Sequence, residues 1–100
     1  MTMDLSGRRE LSPEQIERYR AEGHTLITGL ASADELAPFG PAIAAATARR
    51  TATAGPLQDR DTYGKAFLQA MNLWRDDDVV ARFVLAERFA SVAAQLLGVE

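Results

Sequence analysis

The sequence predicts an α+β domain that is rich in helices, with four to five helices and about two short strands. Its 100 residues suit a single domain. A serine followed three residues later by glutamine or glutamate, at Ser12 and again at Ser32, has the spacing of a helix-capping box. Two short runs instead favour strands. The run at 24–28 is rich in β-branched residues, and the side chains of the run at 65–73 alternate along the chain. Helical signals therefore dominate, and strands are few.

The first helix is expected from Pro13 to Glu22. Ser12 precedes it as the N-cap, and proline suits the first helical position. Gly23 can adopt the left-handed conformation that ends a helix. The strand His24–Thr28 should follow directly, between two glycines.

A second helix is expected from the cap at Ser32 to about Ala48, along an alanine-rich stretch. Pro38 falls in its interior, where proline removes a hydrogen bond and crowds the preceding turn at a cost of about 3 kcal/mol. The sequence therefore predicts a kink or break around Phe39–Gly40, with Pro41 restarting the helix.

The remaining segments are assigned from composition. Residues 1–10 are polar and aperiodic, and we expect them to form a flexible leader before a domain at 11–100. Residues 47–61 show neither the helical nor the strand periodicity of apolar residues and should form a mobile loop. A short helix should begin after Asp76–Asp78, and the last helix should span about Glu87 to Leu97.

Composition excludes several kinds of chemistry. Without cysteine there are no disulfides, thiolate metal sites or cysteine nucleophiles, which fits a cytoplasmic setting. The net charge of −3 has the wrong sign for binding nucleic acid or an anionic membrane surface, and no apolar run reaches the ~20 residues of a membrane helix. His24 is the only histidine, so a metal site of two histidines and a carboxylate cannot be built by this chain alone.

Most side chains that could carry chemistry have a structural explanation. His24 has no second histidine to work with and is best explained as part of the turn at Gly23. Asp76–Asp78 could offer oxygens to a divalent cation, but consecutive side chains diverge, so helix capping is the preferred interpretation. Trp74 is expected to be a packing anchor.

Gln69 is harder to explain structurally. In the strand expected at 65–73 it would share a face with Phe67 and Met71. On a buried face its carboxamide would need hydrogen-bond partners, and otherwise it would face a polar cavity. Both alternatives remain open from the residues alone.

Three stretches together resemble one known family. They are Leu11–Leu36 (LSPEQIERYRAEGHTLITGLASADEL), Phe67–Leu85 (FLQAMNLWRDDDVVARFVL) and Glu87–Glu100 (ERFASVAAQLLGVE). Their order and spacing resemble the N-terminal portion of the phytanoyl-CoA dioxygenase family of iron(II) and 2-oxoglutarate-dependent oxygenases. The resemblance covers most of residues 11–100.

The resemblance implies a double-stranded β-helix, or jelly roll, in the complete enzyme, with these helices outside the barrel. It implies oxidation of a small-molecule C–H bond, with iron(II) and 2-oxoglutarate as cofactors. The family's metal-binding His-x-Asp lies beyond the stretch matched here, so no catalytic residue or metal ligand is expected in this chain, which alone should bind neither cofactor and be inactive. Residues expected near substrate or cofactor lie in and beside the second stretch: Gln69, Phe67, Asn72 and Lys65.

Two other functions are compatible with the residues. One is a stand-alone, helix-rich interaction module that binds a protein partner through apolar helix stripes, or associates with itself or a complementing chain; the stripe residues are Val80, Phe83, Val84, Phe89 and Val92. The other is a small metal-free enzyme with His24 as its base.

Overall fold

The computed structural model describes residues 5–100, and every regular element in that range is helical. The helices α1 to α6 are, in order, Pro13–Glu22, Ala33–Leu36, Phe39–Thr51, Thr62–Ala66, Asp78–Val84 and Glu87–Leu97. Two short 3₁₀ turns lie at Leu57–Asp59 and Leu73–Arg75.

The prediction of an α+β fold is therefore wrong, and with it the description of the chain as a jelly-roll portion with short strands. No strand is present in residues 5–100. His24–Thr28 is irregular and leads into a turn, while the run at 65–73 is divided between the end of α4, an irregular segment and a 3₁₀ turn. A strand needs a partner for its hydrogen-bond ladder. These two runs are about forty residues apart and do not pair, so local pattern alone does not make them strands.

The first helix is confirmed with both of its ends. The Ser12 hydroxyl accepts from the backbone N–H of Gln15 at 3.2 Å, and the Gln15 side chain accepts from the Ser12 N–H at 2.8 Å. Gly23 ends α1 in the left-handed conformation, with φ of 81°. A side chain is disfavoured at such a φ, which is why glycine suits this position.

The expected second helix is interrupted, as its proline predicted, but slightly earlier. Ser32 and Glu35 form the expected capping box of α2, which ends after one turn. Pro38 becomes the N-cap of α3, so Phe39 and Gly40 begin the new helix instead of lying in a kink. Pro41 falls in the first turn of α3, where its missing N–H leaves no intrahelical bond unmade. The helix then continues to Thr51, beyond the expected end.

The last two helices follow the sequence closely. Asp77 caps α5, its Oδ1 accepting from the N–H groups of Val79 and Val80 at 2.9 and 3.0 Å, so capping is confirmed for this aspartate. Helix α6 has the expected bounds and ends at Gly98, which is again left-handed.

The core is a small cluster beneath α3, α5 and α6. Leu5, Phe39 and Ala86 are buried at its centre. The ring centroids of Phe39 and Phe83 are 5.4 Å apart, and those of Phe83 and Phe89 are 5.2 Å apart in an edge-to-face arrangement. Such aromatic pairs stabilise a core beyond the area they bury, by about 0.5–1.5 kcal/mol each.

Residues 5–11, here called the N-terminal strap, lie along α6. The Ser91 hydroxyl accepts from the Arg9 N–H at 3.0 Å, and the Gln95 carboxamide accepts from the Leu11 N–H at 2.9 Å and donates to the Arg9 carbonyl at 2.6 Å. Leu5 is 1% exposed. Of the leader expected at 1–10, residues 1–4 lie outside the described range, while hydrogen bonds to the last helix are formed by Leu5, Ser6, Gly7 and Arg9.

Candidate functional site

The four residues expected near a substrate lie in one stretch of the surface. Lys65 is on α4, Phe67 and Gln69 are in the irregular segment that follows, and Asn72 ends that segment. We call residues 67–72 the apolar connector, because it joins α4 to the 3₁₀ turn at Leu73–Arg75 and exposes mostly apolar side chains.

Helix α4 is short, and its position depends on its cap. Oδ1 of Asp61 accepts from the Gly64 N–H at 2.6 Å. A Cβ at Gly64 would lie 3.0 Å from that oxygen and 3.2 Å from the Cβ of Arg60, so glycine allows the cap to close this tightly. Arg60 in turn donates two hydrogen bonds to the Gly55 carbonyl, at 3.0 and 2.8 Å, which closes the loop before the helix.

Tyr63 holds the side chain of Gln69. Its hydroxyl donates to Oε1 of Gln69 at 3.0 Å, and its ring packs against Phe67 with centroids 5.3 Å apart. The backbone N–H of Phe67 also bonds to the Tyr63 carbonyl at 2.8 Å. Tyr63 was not among the residues predicted from the sequence. The available signal was its spacing of four from Phe67, which marks a side-chain pair on a helix or at its end.

The apolar connector is open to solvent in its middle. Phe67, Leu68 and Met71 are 57%, 54% and 65% exposed. Single exposed apolar residues are common on protein surfaces, whereas several in one short segment beside an exposed aromatic ring are typical of a surface on which another molecule packs. The side chain of Gln69 is exposed beside Tyr63, so it does not lie on a buried face.

The C-terminal end of the connector is fixed by two arginines of α3. Nη1 of Arg50 donates to the Met71 carbonyl at 2.8 Å, and the same guanidinium pairs with Asp76. Nη2 of Arg49 pairs with Asp77 at 2.9 Å. These side chains border a groove of about 210 Å³ between α3 and the segment from Leu73 to Asp77.

The carboxyl of Asp77 has a lowered pKa. The first cause is the hydrogen bond that it accepts from the Val80 N–H at the start of α5; burial opposes the shift, and the Arg49 guanidinium adds to it. Asp76 and Asp77 are thus both engaged with arginines of α3, which explains them without a bound cation.

The other residues weighed in the sequence have local roles. His24 is exposed, with Nδ1 3.3 Å from the Glu22 carbonyl oxygen, next to the turn at Gly23. Trp74 is half-buried, and the Arg75 guanidinium lies 5.4 Å from the centre of its rings. Lys65 is exposed and forms no ion pair with the residues that the structure describes.

The apolar stripe weighed for an interaction module is used mainly inside the molecule. Val80 and Val92 are 3% and 8% exposed, and Phe83 and Phe89 pack against the core. Val84, at 48% exposed, is the member of the stripe that faces solvent. The connector, not this stripe, presents the larger set of exposed apolar side chains.

The part of the chain that the structure describes has neither a cluster of metal-binding side chains nor a helix that could cross a membrane. Residues 5–100 contain no group of three or more histidine, aspartate or glutamate side chains that could hold a metal ion. In the same range no helix has both the length and the apolar character needed to cross a membrane.

No family model matches the chain, and no curated protein or solved structure matches it.

Proposed function

We propose that the chain is the N-terminal segment of an iron(II) and 2-oxoglutarate-dependent oxygenase similar to the phytanoyl-CoA dioxygenase family, acting in the cytoplasm on a small molecule. In this proposal the segment forms part of the wall of the ligand cavity. The described residues do not form an iron site. The observation that supports the proposal is the exposed apolar connector around Gln69, which coincides with the stretch that the resemblance puts near the ligands.

Covering the apolar connector would lower the free energy of the folded protein. Full burial of a Phe, Leu or Met side chain stabilises by about 1.5–3 kcal/mol relative to full exposure. Phe67, Leu68 and Met71 are each a little over half exposed. Covering the rest of all three would therefore contribute roughly 3–5 kcal/mol.

The shape of the chain supports the same conclusion. Its radius of gyration is 17.3 Å, whereas a compact domain of 100 residues has about 13 Å. Its extents of 51 × 38 × 23 Å describe an elongated body with a small core. Packing against further protein structure would bury surface that this arrangement leaves open.

The first test is the transcript that encodes the chain, read beyond the codon for Glu100. The proposal expects an in-frame His-x-Asp and, further on, a second histidine and an arginine. A stop codon at that point, with no complementing chain expressed beside it, would contradict the proposal.

The second test is activity of the encoded polypeptide, measured as succinate formed from 2-oxoglutarate. We expect Gln69→Ala to lower kcat/KM at least tenfold while the melting temperature stays within about 2 °C, because a lost hydrogen bond of about 1.4 kcal/mol corresponds to a factor of ten. Gln58→Ala is the matched control, since Gln58 is also exposed but lies in the 3₁₀ turn before α4. Equal effects of both substitutions would remove the reason to place Gln69 at the ligand.

An interaction module is the second candidate, and the same exposed connector favours it. In that case the covering surface belongs to a partner protein or a second copy of the chain, not to a catalytic portion. A stop codon after Glu100 together with sharp, cooperative unfolding of a monomer would favour the module. Sedimentation of Phe67→Ser beside the parent chain then separates self-association through the connector from association elsewhere.

A further inference from the structure

We propose that Tyr63 is a positioning residue, which holds the Gln69 carboxamide with its two N–H donors directed at an acceptor oxygen of the ligand. The inference rests on the proposed function and adds a residue and a ligand chemistry to it. The ligand atom would be a carbonyl or carboxylate oxygen.

The orientation of the carboxamide in the structure is the one in which Oε1 faces the Tyr63 hydroxyl. Tyr63 has one O–H proton, and it is directed at Oε1 of Gln69 at 3.0 Å. Nε2 of Gln69, which carries both N–H donors, forms no hydrogen bond to a residue within 5–100. The side chain therefore offers donors, and only a group that accepts hydrogen bonds can satisfy them.

Tyr63 is suited to this task because it is itself held on two sides. Its ring packs on Phe67, and its backbone lies in a helix whose cap at Asp61 closes tightly over Gly64. A glutamine free at the surface samples many rotamers and loses that freedom when it binds a ligand. Fixing Gln69 in advance removes part of this cost, which is the general advantage of preorganised donors.

The connector itself does not fix Gln69. Its backbone has no strand partner, and the nearest backbone anchors are the Phe67 N–H and the Met71 carbonyl, two residues away on either side. The bond from Tyr63 is the one hydrogen bond that the Gln69 side chain makes among the described residues. Removing the hydroxyl should therefore free the carboxamide without disturbing the backbone.

The first experiment uses the chain alone and tests positioning. In ¹⁵N-labelled protein, Tyr63→Phe keeps the ring on Phe67 and removes only the hydroxyl. We expect the side-chain NH₂ signals of Gln69 to shift and those of Gln58 to stay. Tyr19→Phe, which removes a hydroxyl on α1, is the control and should leave both unchanged. Unchanged Gln69 signals in Tyr63→Phe would overturn the proposal.

The second experiment uses the polypeptide that the transcript encodes, with 2-oxoglutarate as the probe because it carries both carbonyl and carboxylate oxygens. We expect Tyr63→Phe to raise KM three- to tenfold with kcat within twofold, and to have no further effect when Gln69 is already alanine. Gln69→Glu still accepts from Tyr63 but lacks the donors, so its KM should rise at least as much as that of Gln69→Ala. Turnover by the wild type with KM unaffected in Tyr63→Phe overturns this inference alone, whereas no turnover by the wild type overturns the proposed function as well.

Discussion

The N-terminal strap provides the sharpest test of the fold, through Leu5→Ala. Leu5 is 1% exposed and packs at the centre of the core with Phe39 and Ala86. The substitution removes three carbons, worth about 0.8 kcal/mol each, or roughly 2.4 kcal/mol in transfer free energy. The cavity left behind raises the expected loss to about 3 kcal/mol, within the range measured for buried Leu→Ala changes.

The assay is urea unfolding followed by helical circular dichroism, with Leu26→Ala as the matched control. Leu26 is 81% exposed, so removing the same atoms there should change stability by less than about 0.5 kcal/mol. For a domain of this size a loss of 3 kcal/mol lowers the melting temperature by about 12–24 °C. If Leu5→Ala and Leu26→Ala unfold at the same urea concentration, the strap is not part of the folded core, and the expectation of a flexible leader stands.

Two further predictions concern the polar contacts around the strap and α6. Gln95→Ala should lower the free energy of unfolding in urea by about 1–2 kcal/mol, because the Gln95 carboxamide forms hydrogen bonds with two backbone groups of the strap. Gln58→Ala is the control and should change it by almost nothing. Equal unfolding midpoints of the two variants would contradict the role given to Gln95. Glu35→Gln should make the free energy of unfolding depend less on pH in the acid range. A hydrogen bond from Arg88 lowers the pKa of Glu35 from 4.5 to about 2. The stabilisation by the ionised carboxylate is therefore present above pH 4.5 and is lost as the pH falls through about 2. Unfolding midpoints at about pH 7 and pH 2.5 check this, since the gap between wild type and variant should narrow strongly at the lower pH, and a constant gap would assign the effect to something other than ionisation.

Signals that act over a few residues predicted the helices well. The capping boxes at Ser12 and Ser32 and the glycines after α1 and α6 all lie within four residues of the groups they bond. The break at Pro38 follows from the same local chemistry. Each of these features can be derived from the sequence because both partners of the bond are visible in one short window.

Features that depend on distant partners were missed or mispredicted. The run at 24–28 has strand composition but no strand to pair with, and composition cannot supply one. The strap bonds to side chains more than eighty residues away, and polar residues such as Arg9 give no local sign of a docked backbone. For the candidate site, Gln69 could be singled out from the sequence as a polar residue in an apolar run, but no local pattern showed that Tyr63 would bond to it.

The conformation of the apolar connector depends both on local sequence signals and on a contact with a distant residue. Tyr63, Phe67 and Met71 are spaced four apart, which would form an apolar stripe if α4 continued, yet the helix ends at Ala66. At the other end Asn72 takes a left-handed conformation, with φ of 57°, which asparagine tolerates better than most residues, and Arg50 holds the Met71 carbonyl. The connector is thus anchored at both ends while its middle stays open. An open middle that carries one oriented carboxamide among exposed apolar side chains has the composition of a ligand-cavity wall, in which apolar area supplies affinity and a few fixed polar groups set orientation.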